Sequence, residues 1–256
     1  MIVTPQELIT FALVFSRLVI MMLMAPAFGT KEIFAMGKVA IVFWTAVLLL
    51  FYIPLPTQFP NTPMLLFFAM IVEMLIGALL GFIAQMFVVG IEFAGSLMDT
   101  QAGLSVASTL DPSSGQTTTL LSKILKQLGV LVFLLIDGHH VVLATMIQSF
   151  RGIPIGSTLD LRPASGHVIE ASVKIFEMAL QLSAPILLVV FLIDFGFGML
   201  SRVSPQVNVF QLGFQLKPVV SLMVFLTIVP GLVDLIYYLL ERVSAELLTT
   251  MLHLRV

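Results

Sequence analysis

The sequence has no cysteine, which removes disulfides, thiolate metal sites and cysteine nucleophiles together. Charge is scarce as well: 10% of the 256 residues are charged, against roughly 25% in soluble domains. With 59% hydrophobic residues and a mean hydropathy of +1.11, the chain reads as an integral membrane protein. Cations are not in excess, because 12 Lys and Arg stand against 14 Asp and Glu for a net charge of −2. No basic surface therefore argues for a nucleic-acid partner. Catalytic signatures are missing too. HExxH and GxSxG are absent, and His139, His140, His167 and His253 are neither paired with a nucleophile nor set at metal-ligand spacing. No cofactor and no metal is called for, and the chain is not read as an enzyme. His139 and His140, being adjacent, are expected to diverge to different helix faces and to mark a helix end or turn.

What is present is a series of apolar runs. Leu8–Phe28 comes first, interrupted by Ser16 and Arg17 and closed by Pro26 and Gly29. Arg17 is the first cation and lies inside this run, so a retained helix is expected here, not a cleaved signal peptide. Val39–Ile53 follows, then a stiff spacer carrying Pro54, Pro56, Pro60 and Pro63. The third run, Met64–Met98, would as one helix be roughly 52 Å long, against a hydrocarbon core of about 30 Å. It must break, tilt or protrude. Leu120–Ile136, His139–Phe150, Ile175–Leu200 with Pro185, and Pro218–Leu240 with Pro230-Gly231 complete the series, the last expected as two half-helices. Arg151–Lys174 reads as the most polar connection. From Glu241, Val243, Leu247, Leu248, Met251 and Leu252 share one face of an interfacial or partner-bound helix.

The longest interruption of apolar character is Asp99–Gly115, DTQAGLSVASTLDPSSG. Gly103 and Gly115 admit positive φ and Asp111 is forced toward extended geometry by Pro112, so this is a shaped loop. Irregular backbone at membrane depth is tolerated only under protein cover or beside a watery cavity. Glu73, Gly77 and Gly81 fall at i, i+4 and i+8, which gives one helix face a GxxxG for close backbone approach. Gly90 and Gly95 flank Glu92 at a candidate bend, with packing the first reading and a hinge the second. Arg17, Glu73, Glu92, Asp99, Asp194 and Asp234 lie in or beside apolar runs. A charge at the bilayer centre costs about 2.5–3.5 kcal/mol even on insertion scales. Such groups must face protein or water, as structural pairs in the first reading and as a proton relay or substrate site in the second. With six segments, one side holds Lys31, Lys38, Lys123, Lys126, Arg202 and Lys217. The other holds Arg151, Arg162, Lys174, Arg242 and Arg255. Positive-inside counting then gives no bias, so partner subunits are expected to cover part of the apolar surface.

In their order and spacing these residues resemble the FliR-type subunit of the flagellar type III export gate. The resemblance is carried by Arg17 with Pro26 and Gly29, by Glu73 with Gly77 and Gly81, and by Asp99-Thr100-Gln101-Ala102-Gly103-Leu104-Ser105 leading to Asp111-Pro112. It continues through Asp137-Gly138-His139, Ser149-Phe150 with Pro154-Ile155-Gly156, and Arg202 with Pro205-Gln206-Val207-Asn208-Val209-Phe210. It implies a single all-α membrane domain over 1–256, of kinked and broken helical hairpins, like a P-type and a Q-type subunit fused in one chain within a helical hetero-oligomer. Implied partners are P-type and Q-type gate subunits, the B-type substrate-specificity switch, the A-type gate subunit, unfolded export substrates in transit and the inner membrane. The implied place is the flagellar basal body in the bacterial inner membrane, with part of the assembly on the periplasmic side.

The resemblance places a pore plug at about 102–118. The expected pore residues are Gly103, Leu104, Ser105, Val106, Thr109, Leu110, Asp111 and Pro112. Arg17, Glu73, Gly77, Gly81, Glu92 and Asp194 are expected in subunit packing. Relatives often carry aromatics at Val106 and Thr109, where this chain has β-branched residues. A smaller apolar constriction at Leu104, Val106 and Leu110 is expected instead, in a loop kept mobile by Gly103, Ser105, Ser108 and Ser113. The alternative from residues alone is a solute or ion transporter with broken helices and midplane carboxylates, although no internal repeat is evident.

Overall fold

The structure is a computed structural model. It describes residues 4–26, 34–53, 59–60, 62–105, 119–156 and 161–253, excluding the side chains of 161–165, 167–168, 171 and 240–253. Among these residues every regular element is an α-helix: α1 (Pro5–Met24), α2 (Ala35–Leu50), α3 (Pro63–Ala102), α4 (Leu120–Leu135), α5 (Gly138–Gly152), α6 (Leu161–Val203) and α7 (Val209–His253).

The helix starts follow local chemistry. Thr4 caps α1 in a reciprocal capping box with Glu7, with Pro5 at the first helical position. Thr62 accepts from the Leu65 amide at the start of α3, and Asn208 from the Gln211 amide at the start of α7. Between α4 and α5 the chain turns through Asp137, which has φ 57. It is the single non-glycine residue with positive φ among those described. Only together do α4 and α5 have the length and apolarity of a crossing.

Among the described residues, four helices are each long and apolar enough to cross a membrane: α1, α3, Ser172–Val203 of α6 and Val209–Leu239 of α7. Counting the bent pair α4 and α5 as one raises the number to five. The remaining apolar run of the sequence is α2, a shorter apolar helix. At 16 residues, α2 is roughly 24 Å long, short of a core of about 30 Å. Lys123, Lys126, Lys174 and Lys217, counted as loop cations, are inside helices. The charge balance drawn from them carries no orientation.

Three long runs are continuous, and of these only the last, expected as two half-helices, departs from expectation. The third run is one unbroken helix of 40 residues through Gly90 and Gly95. α6 passes Pro185 and α7 passes Pro218 and Pro230 without ending. A proline removes one ladder bond and crowds one carbonyl, and the flanking turns of these long helices keep the remaining bonds. The polar connection after Arg151 is shorter than read, because α6 begins at Leu161. The spacer residues 54–58 lie outside the described residues, as do the side chains of the tail, where α7 simply continues.

The chain groups into two compact units. Unit 1 comprises 1–87, 134–172 and 241–256. In it α1 buries Leu13, Val14, Leu18, Met21 and Met22, and the first part of α3 contributes Glu73, Ile76 and Leu80 to the interior. Phe11 meets Phe15 and Phe43 at ring distances of 5.7 and 5.5 Å, tying α2 to α1. Unit 2 comprises 88–133 and 173–240. Its interior holds Ile91, Ala94 and Met98 of α3, Leu121, Leu125 and Val132 of α4, Ala179, Leu182 and Ile186 of α6, and Phe225 and Ile236 of α7. In each helix the buried positions recur every three or four residues, the period of one packed face.

Candidate functional site

The end of α3 is closed by backbone chemistry. Gly103 has φ +78 with its amide donating to the Thr100 carbonyl, while the Leu104 amide donates to the Asp99 carbonyl at 2.9 Å. These two bonds are a Schellman motif with glycine at the left-handed position. Opposite it, α4 begins with two amides that have no intrahelical acceptor. The fully buried Asp99 carboxylate supplies one to each: Oδ1 accepts from Leu121 N at 3.1 Å, and Oδ2 from Ser122 N at 2.9 Å. The Thr119 hydroxyl also donates to Oδ2. Below this contact, Ser122 Oγ donates to the Glu92 carbonyl at 2.9 Å, and Lys126 pairs with the Glu92 carboxylate at 2.8 Å. Gly95 makes the approach possible, since a Cβ there would overlap the Ser122 backbone. The segment from Gly103 to Thr119 thus leaves and re-enters the helices at one point.

Within unit 1 a second buried polar cluster ties three segments. Arg17 and Glu73 are 0% and 1% exposed and form an ion pair through Nε and Oε2. Arg17 Nη1 donates to the carbonyls of Ser149 at 3.2 Å and Ile153 at 3.1 Å, and its guanidinium lies 4.3 Å from the Phe150 ring centroid. Glu73 Oε1 accepts from the Gly156 amide at 3.1 Å. Arg17 Nη2 is buried with no acceptor among the described residues. A Cβ at Gly77 would overlap the Arg17 carbonyl, and one at Gly81 would stand 2.8 Å from Met24 Cβ. The backbone that approaches the GxxxG face is this chain's own α1.

Asp194 pairs with Lys217 beside a cleft of about 420 Å³ within unit 2, also lined by Thr100, Gly103, Phe197 and Phe214. The predicted site residues therefore fall in separate groups. Arg17, Glu73, Gly77 and Gly81 come together in unit 1. Gly103 and Leu104 lie at the loop base with Glu92 nearby, and Asp194 lies beside the cleft. Ser105 ends the described part of the loop, and Val106, Thr109, Leu110, Asp111 and Pro112 lie outside the described residues. One local expectation is corrected: His139 and His140 do not diverge. They occupy the first turn of α5 with ring centroids 4.2 Å apart, and their ligand atoms and one of Asp137 lie within 4.8 Å of one another.

The family described as bacterial export proteins, family 1, matches residues 8–243. The chain belongs to this family. It is 32% identical over 219 residues to the flagellar biosynthetic protein FliR of Bacillus subtilis, covering 82% of each chain. Identity to the FliR of Pectobacterium carotovorum is 29% over 238 residues, covering 92% of this chain and 91% of the relative. The surface presentation of antigens protein SpaR of Shigella sonnei is 27% identical over 158 residues, covering 62% of this chain and 61% of that one. For this FliR-type export protein, sequence reasoning missed two partners of named residues. Thr119 and Ser122 were not singled out, although a Thr one residue before an apolar helix is an N-cap signal. Lys217 and Lys126 were taken as loop charges, although each is in a helix and paired with a carboxylate.

Proposed function

We propose that this chain is a core subunit of the type III export gate of the bacterial flagellum, with residues 102–118 closing the pore through which unfolded flagellar proteins leave. Membership of the export family and the likeness to flagellar FliR proteins and to SpaR support the coarser part, a structural component of a type III export apparatus in the inner membrane. The observation that carries the finer part is the loop base. Leu104 on one side of the stretch and Thr119, Leu121 and Ser122 on the other all bond to Asp99, which supports a segment that starts and returns between two apolar helices. In this reading Leu104, Val106 and Leu110 form the constriction and resist water and ions by dewetting.

P-type and Q-type subunits are the partners this reading requires, with A-type and B-type gate components and export substrates in transit. Two observations support lateral partners. Phe191, Phe195 and Met199 on α6 and Phe214, Met223 and Leu226 on α7 are exposed. Asp234 is also exposed in the apolar part of α7, where facing lipid would be costly. In this reading part of the complex stands on the periplasmic side of the membrane. A solitary transporter is not favoured, because four of the ionisable groups that would serve a relay, Arg17, Glu73, Glu92 and Asp194, are consumed in pairs within the chain.

Deleting 105–115 from the chain and assembling it with its P-type and Q-type subunits tests the proposal. Ion leakage through the assembled gate is expected to rise. Unchanged conductance with normal assembly removes the plug assignment, and failure of the P-type and Q-type subunits to co-purify with the intact chain removes the gate reading itself.

A further inference from the structure

We propose that Asp137, His139 and His140 form a binding site for one divalent transition-metal ion of the zinc class, at the turn between α4 and α5. The site is independent of the gate and plug readings, and its three residues all belong to unit 1. Each offers one ligand atom, and the three atoms lie within 4.8 Å of one another. Neighbouring residues of a helix ordinarily point about 100° apart. Here the turn at Asp137 brings the two imidazoles together, with ring centroids 4.2 Å apart and an interplanar angle of 35°.

Local geometry favours a ligand set over packing. Asp137 stands at the N-cap of α5, where an Asp side chain ordinarily accepts a backbone amide, yet it makes no capping bond. Its Oδ1 is instead 3.4 Å from His140 Nδ1. That is long for a hydrogen bond, and it matches the edge of a ligand tetrahedron, about 3.3–3.6 Å for metal bonds of roughly 2.0–2.2 Å. As an ion pair between two largely exposed groups, the contact would be worth little. His139 Nδ1 is buried and has no hydrogen-bond partner among the described residues, so that ring is not held by the surrounding protein through this nitrogen. The left-handed φ of 57 falls on Asp137, although Gly138, which would adopt it without strain, is the next residue.

The donor set selects the ion. Two imidazoles and a carboxylate suit zinc and its neighbours, whereas Ca²⁺ and Mg²⁺ take oxygen ligands. A cation at a helix start opposes the helix dipole, and the Asp137 carboxylate offsets that cost. The Asp137 and His140 side chains are 72% and 68% exposed, so an ion can reach them from outside, and its fourth position is left to water.

The test uses the full chain, purified in detergent with whichever subunits accompany it and without a polyhistidine tag. It is stripped of metal by a chelator and titrated with Zn²⁺ alone. One saturable ion per chain is expected at micromolar affinity, weaker than a closed four-ligand site. Asp137→Asn keeps a residue that tolerates the left-handed turn and removes the charged ligand; His140→Ala removes an exposed ring. Each is expected to weaken binding by at least about tenfold, since even the loss of a group supporting a ligand costs that much. The double variant His167→Ala, His253→Ala, which replaces the other two histidines of the chain, is expected to bind Zn²⁺ as the parent does. Excess Mg²⁺ is expected not to compete. Absence of saturable Zn²⁺ binding by the parent overturns the proposal. So does binding unchanged in Asp137→Asn or in His140→Ala, or binding lost in the double variant.

Discussion

Two buried carboxylates, Glu73 and Asp99, solve the same problem with different partners. Glu73 faces a guanidinium and one backbone amide; Asp99 faces two amides and a hydroxyl at a helix start. An ion pair buried on both sides is costly to break, because the surviving charge is stranded in a medium that cannot solvate it. A carboxylate held by helix amides strands no opposite charge on removal, so its loss costs only unpaired amides at a helix start. The contrast teaches that the Arg17 cluster is a fixed joint between α1, α3 and the end of α5, whereas the Asp99 cluster is a weaker tie between the end of α3 and the start of α4.

The largest expected effect is therefore at the joint. Arg17→Met should destabilise the protein by about 3–5 kcal/mol, read as loss of the assembled complex and a lower melting temperature in detergent. Glu73→Met added to it should restore much of that loss by removing the stranded charge. Restoration cannot be complete, because the Ser149 and Ile153 carbonyls also lose their donor. Gly77→Ala comes next, at about 1–3 kcal/mol from overpacking, since the added methyl overlaps the Arg17 carbonyl. After the end of α3, Gly103→Ala should cost about 1–2 kcal/mol through its left-handed φ, because among the described residues no atom lies within 4 Å of the added methyl. Gly196→Ala, in an open stretch of helix, should instead stabilise by up to about 1 kcal/mol. The smallest effect is Lys126→Gln. Its pair with Glu92 is partly exposed and is worth about 0–1 kcal/mol. Melting curves of these last three variants, compared with the first two, measure how unequal the two clusters are.

The helices were legible in the sequence because they are local, but the loop reads from the sequence as starting at Asp99, whereas α3 continues through Asp99–Ala102 and ends at the Gly103 turn. Thr4 with Pro5 and Glu7, Gly103 at the end of an apolar run, and the 3.6-residue recurrence in α1 and α4 each announce themselves within a few residues. The clusters were legible only in part. A charge in an apolar run demands a partner, but nothing local says that Arg17 should meet Glu73, or that the carbonyls of Ser149 and Ile153 should complete its shell. Those contacts depend on tertiary packing across more than a hundred residues. Pro230 misled for a related reason. It removes one hydrogen bond, and local reasoning cannot see that the long helix around it retains the rest. His139 and His140 misled because the turn at Asp137 places both rings in the first turn of a new helix, where they lie 4.2 Å apart at a 35° tilt.

The plug assignment, on which the functional account turns, is most directly tested by crosslinking. The chain has no cysteine, so Val106→Cys, Leu110→Cys and, as a control, Pro56→Cys each introduce one unambiguous site in an otherwise intact gate. With an export substrate stalled in transit, crosslinks are predicted at positions 106 and 110 and not at position 56. Crosslinks absent from 106 and 110 while the gate is exporting would contradict the account.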